Sequence, residues 1–178
     1  MTYSITGLPV EPFQPLFGLP DEELAKRNVV RMIADAPVGF PCRVLLEDAQ
    51  RGDTMLLLNH EYQPAETPYQ GRHAIFVNER ATAPRSFVDQ VPDVLTVRKA
   101  ISIRAFDDAG MMLDADVVPG AEVEGLILRL FENPQAAYLH AHNAGRGCFA
   151  ARIDRTQDSR RPQTAQLCAA DVETAIAR

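Results

Sequence analysis

The chain has 178 residues, 46% hydrophobic and 24% charged, which suits one globular domain with a sizeable core and excludes wholesale disorder. A formal net charge of −6 argues against nucleic acid and against an anionic membrane surface as partners, because both demand basic surface. Three widely spaced cysteines, Cys42, Cys148 and Cys168, make an odd set that points to reduced thiols in a cytoplasmic protein rather than to a secreted disulfide scaffold.

Residues 1–20 contain Pro9, Pro12, Pro15 and Pro20 and read as an extended, Pro-rich arm. They lack a basic stretch followed by an apolar run, so no signal peptide is expected, and no apolar run in the chain approaches membrane-spanning length. Asp21 is placed to cap a short helix reaching Lys26, with Glu22 and Glu23 where the helix dipole favours acids. Strands are expected at Val29–Ala34, Cys42–Leu46, Thr54–His60 and Ala74–Asn78. Between them, Pro37, Gly39 and Pro41 mark a loop, Asp48–Asp53 a turn, and residues 61–72 and 79–94 longer irregular segments.

A hairpin follows around Asp108-Ala109-Gly110, with glycine at the left-handed position such a loop requires. Asp107 then faces Met111, and the pairs Ala105/Leu113, Ile103/Ala115 and Ile101/Val117 share an apolar face. Arg104/Asp114 and Ser102/Asp116 share the polar one. Beyond Pro119, Val123, Leu126, Ile127, Leu130 and Phe131 repeat at helical spacing, predicting an amphipathic helix over about 120–132 that ends at Asn133-Pro134. A second hairpin, Ala136–His142 with Cys148–Asp154, precedes a polar stretch and a short terminal helix at Ala169–Ala177. The expected architecture is α+β: one domain over 21–156, between the arm and a polar tail at 157–178. Its sheet is largely antiparallel, built from hairpins, with one main helix.

Charge is uneven. Residues 107–132 hold seven acids and Arg129 alone, whereas residues 146–161 hold five arginines against Asp154 and Asp158. Two solvated faces account for this without a binding code.

The densest chemistry lies from His140 to Cys148. Strand alternation sets Tyr138, His140 and His142 on one face and Phe149, Ala151 and Ile153 on the opposite, apolar one. With Asn143–Gly147 as the loop, His142 faces Cys148, His140 faces Ala150 and Tyr138 faces Arg152. Three uses of that surface follow. His140 and His142, with Cys148, His60 or His73, could ligate a transition metal such as zinc, which accepts N and S donors together. Cys148 could be a nucleophile activated by His142, with Asn143 or a backbone group orienting the imidazole and Arg146 and Arg152 favouring a thiolate. The loop, with Arg146, Asn143 and two glycines, could hold an anionic group of a small molecule, and Tyr138 and Arg152 would line the same surface. Against all three stands a plain structural account: hydrogen-bonded histidines, a semi-buried cysteine and glycines that make the turn.

Pro41-Cys42-Arg43-Val44, Asp48-Ala49, Leu56–Leu58 and Pro68-Tyr69 resemble the uncharacterised bacterial family called domain of unknown function 1203. So do Ala105-Phe106-Asp107 with Gly110-Met111, Tyr138-Leu139-His140, Asn143-Ala144 and Gly147-Cys148-Phe149-Ala150. The resemblance covers about residues 17–156. It implies a small bacterial protein and brings no activity, cofactor or catalytic residue. Two function classes stay open: a small-molecule or metal-binding protein, with or without enzymatic activity, and a non-catalytic protein-interaction domain. A homo-oligomer is compatible with either.

Overall fold

The computed structural model describes residues 2–156; the expected tail, its terminal helix and Cys168 lie outside them. Eleven strands and three α-helices form in chain order: β1 (Thr2–Thr6), α1 (Asp21–Ala25), β2 (Val30–Ile33), β3 (Pro41–Cys42), β4 (Glu47–Asp48), β5 (Thr54–Gln63), β6 (Gly71–Asn78), β7 (Ser86–Val88), α2 (Asp93–Thr96), β8 (Ile101–Phe106), β9 (Met112–Val118), α3 (Val123–Leu130), β10 (Tyr138–Asn143) and β11 (Phe149–Thr156). The protein is α+β and sheet-rich, but the strands divide into two sheets where one was expected. Six antiparallel strands run in the order β7-β1-β11-β10-β8-β9, and five run β2-β5-β6-β3-β4 with a single parallel contact between β3 and β6.

The main helix is where the periodicity places it. A 3-10 turn, Gly120–Glu122, leads into α3. Val123, Leu126, Ile127 and Leu130 point inward and join Ile101, Ile103, Leu139, Ala141 and Ile153 in one core. That core covers one face of the six-stranded sheet. A second core gathers Leu56, Leu58, Ile75 and Val77 of β5 and β6 with Val10, Phe13 and Leu24 from the N-terminal segment. Burying an apolar side chain of this size is worth about 1.5–3 kcal/mol, so residues 8–24 are part of the fold's stability.

This corrects the reading of residues 1–20 as an extended arm outside the domain. Thr2–Thr6 alternate between buried and half-exposed positions and form an interior strand, pairing Ile5 with Ile153 of β11 and with Phe87 of β7. Gly7 then lets the chain pass between the sheets: a Cβ there would stand 1.9 Å from the Val44 carbonyl oxygen. Asp21, expected to cap α1, forms no side-chain cap and instead pairs with Arg31.

Both hairpins form, in registers different from those expected. In the first, Gly110 occupies the left-handed region (φ +82°) and Asp107 bonds Met111. A bulge then shifts β9 by one residue, so that Ile103 opposes Asp116 and Ala105 opposes Asp114. The two aspartates are thereby moved from the Arg104 side to the helix side, where Arg129 of α3 pairs with both, at 3.4 Å and 3.0 Å. In the second hairpin the pairs are Tyr138–Asp154, His140–Arg152 and His142–Phe149, with Ala150 as the extra residue of a bulge.

Candidate functional site

The face of β10 away from α3 carries Tyr138, His140 and His142, as alternation requires, and all three are buried. The bulge at Ala150 turns Phe149 onto this same face. A second bulge, between Glu61 and Gln63 of β5, leaves Tyr62 as the extra residue. Bulges re-aim side chains, and here two of them build an aromatic box. Tyr62 stacks on Phe149 with ring centroids 5.6 Å apart and stands edge-on to His142 at 5.0 Å and to His140 at 5.9 Å. Phe106 and Tyr138 close the His140 side at 4.9 Å and 5.2 Å.

Within the box both imidazoles are neutral. Burial, then the neighbouring His142, Arg152 and Arg104, push His140 down to about 3. Burial and Arg104 push His142 down to about 4, against the opposing effect of its bond to Gly147. His142 Nδ1 lies 3.0 Å from the Gly147 carbonyl oxygen; a carbonyl only accepts, so Nδ1 donates and Nε2 keeps a bare lone pair. That Nε2 and His140 Nδ1 are buried with no hydrogen-bond partner among the described residues.

The expected convergence of donors on a metal does not form. Among the described residues no group of three or more His, Cys, Asp or Glu is disposed to hold one ion. His60 lies between Phe13 and Phe149, its pKa lowered by burial and then by Arg72. His73 turns to its neighbour's carbonyl at Ala74. Nor does His142 meet Cys148, as the expected dyad required. The bulge carries Cys148 opposite Asn143, whose backbone N–H bonds the Cys148 carbonyl at 3.0 Å. Tyr138 and Arg152, expected to face each other beside the loop, pair instead with Asp154 and His140: Tyr138 accepts a hydrogen bond from Gln63 at 2.8 Å, while Arg152 lies over the Tyr138 ring and forms an ion pair with Asp154.

Cys148 belongs to a different construction. It lines a cavity of about 560 Å³ together with Asn143, Gly145 and Arg146 from the β10–β11 loop. Arg43, Arg98, Lys99 and His73 also face this space, and Pro41, Leu57, Phe76 and Ala100 supply apolar wall. No carboxylate lines it among the described residues. Arg98 is balanced by Asp48 at 2.6 Å, whereas Lys99 and Arg146 form no ion pair among the described residues.

Arg43 was missed by sequence reasoning. It follows Cys42 into a tight turn, and its backbone is bonded on both sides, to Phe76 at 3.0 Å and Leu8 at 2.8 Å. The residue is 3% exposed. Its guanidinium donates to the carbonyls of Phe149 (2.9 Å) and Pro41 and to Cys148 Sγ at 3.4 Å. Asn143 Nδ2 donates to the same sulfur at 3.4 Å. No carboxylate among the described residues is a partner of Arg43, and burial lowers its pKa while the two nearby cysteines act in the opposite sense. A charge is costly to bury unless something opposite meets it, and because the distant partners of Arg43 are Phe149 and Cys148, no local signal in the sequence marks it.

The chain matches the family described as protein of unknown function (DUF1203) over residues 39–155, well over half its length. The chain belongs to this family. No curated relative and no solved structure matches it. The matched span starts after β1, α1 and β2 and contains every residue of the cavity. No helix among the described residues of this DUF1203 protein is long and apolar enough to cross a membrane.

Proposed function

We propose that this protein binds a small organic anion, a carboxylate or phosphate ester, in the cavity between the β10–β11 loop and the Arg43 turn. One observation carries the reading: Arg43, a residue only 3% exposed, lines the cavity without a carboxylate partner for its guanidinium among the described residues. A buried charge is destabilising unless something opposite meets it, and an anionic ligand would. Lys99 and Arg146 at the exposed margin add attraction, while Leu57 and Phe76 suit an organic body behind the charged group. The volume fits a metabolite-sized molecule.

The test is an NMR and calorimetric titration with aliphatic and aromatic carboxylates and phosphate monoesters, against neutral amides of the same skeletons. Anions should shift the amide resonances of Lys99, Ala100 and residues 143–148. The double variant Lys99→Ala/Arg146→Ala should weaken them about tenfold, near the low end for hydrogen bonds to charged groups. Equal affinity for the neutral amides would overturn the assignment.

A further inference from the structure

We infer that Cys148 is a thiol–disulfide exchange site for small anionic disulfides and becomes S-thiolated within this cavity. The inference deepens the anion-binding reading and rests on it for the choice of disulfide.

The two described cysteines differ sharply. Cys42 is 1% exposed, and its sulfur accepts backbone N–H groups of Leu45 and Asn78 at 3.4 Å and 3.3 Å. Cys148 is half-buried and lines a cavity large enough for a small disulfide. Its sulfur faces the Arg43 guanidinium and the Asn143 amide, two groups with no capacity to take up a proton at the contacting atom. His142, the base that acyl transfer would need, is bonded through Nδ1 to Gly147 and opposes Phe149 instead. A sulfur with donors around it, and no base bonded to it, suits a reaction in which sulfur both attacks and leaves as an anion.

The step balances within the pair of reactants. Cys148, having lost its proton to solvent, attacks one sulfur of R–S–S–R. The Sγ–S bond forms as the S–S bond breaks, and the departing R–S⁻ takes a proton from water. Cys148 is oxidised and one half of the disulfide is reduced, so the small disulfide is itself the oxidant. Arg43, Lys99 and Arg146 give the cavity its selectivity: they attract carboxylate-bearing disulfides and stabilise the thiolate that leaves.

The full-length protein is incubated with oxidised glutathione, which is anionic, or with cystamine, which is cationic. Rates are normalised to those of a neutral model thiol, and adducts are located by peptide mapping. One glutathionyl group on Cys148, formed at least about tenfold faster than the cystamine adduct after normalisation, is expected from the cationic lining. In Lys99→Glu/Arg146→Glu, whose altered side chains are exposed, that preference should vanish or invert. Absence of an adduct on Cys148, equal normalised rates for the two disulfides, or an unchanged preference in the charge-reversed variant would each overturn the inference. Binding of S-methylglutathione to Cys148→Ser is measured alongside. Binding retained while exchange fails overturns exchange alone; loss of both overturns the anion site with it.

Discussion

At the scale of single residues, the histidine pair has a consequence for acid stability. His140 and His142 titrate near 6.5 in an unfolded chain and at about 3 and about 4 in the folded one. Between those values the unfolded chain binds protons that the folded chain refuses. Stability is therefore complete above the unfolded value and falls as the pH drops through 6.5 towards 4 and then 3. Each buried histidine should contribute a slope of up to about 1.4 kcal/mol per pH unit in the middle of that window. Urea unfolding of His140→Phe/His142→Phe should show a flatter dependence than the parent between about pH 4.5 and 6. An unchanged slope would mean the imidazoles are not held neutral. The face bearing these two histidines was legible from alternation alone, because side chains on a strand have period two whatever the partner strand does. Arg43 was not, because nothing local distinguishes a solvated arginine from one bonded to a sulfur 105 residues away.

At the scale of elements, two of the three bulges among the described residues decide what the site contains. Tyr62 is the extra residue in β5 and Ala150 in β11, while the third bulge shifts β9. The hairpins, the Gly110 turn and the long helix could be read from the chain, since each depends on neighbours within a few residues. The registers could not, since a bulge answers to packing across the sheet. The second bulge exchanges the expected His142–Cys148 pair for His142–Phe149 and hands Cys148 to Asn143 and Arg43. Phe149 holds that arrangement: its ring stacks on Tyr62 and its carbonyl receives Arg43. Phe149→Ala should cost about 3–5 kcal/mol in denaturant unfolding. A loss below about 1 kcal/mol, the level of a tolerated surface change, would show that the box does not depend on this ring.

At the scale of the whole molecule, residues 1–20 behave as structure. β1 sits between β7 and β11, and Val10 and Phe13 close the second core. The prolines that suggest a loose arm do not conflict with this, since Pro9, Pro12 and Pro15 all follow the strand. Deleting residues 1–20 should abolish cooperative thermal unfolding measured by circular dichroism. A deletion variant that still melts cooperatively near the parent temperature would show that the fold does not depend on β1 or on the Val10 and Phe13 contacts. The pairing of β1 with β11 also bears on biosynthesis. Thr2 and Thr156 are hydrogen-bonded although 154 residues separate them. A nascent chain therefore exposes β1 on the order of seconds before β11 emerges, with only β7 able to cover one edge in the interval. Translation speed and chaperone access during that interval, more than equilibrium stability, would then govern how much of the synthesised chain escapes aggregation.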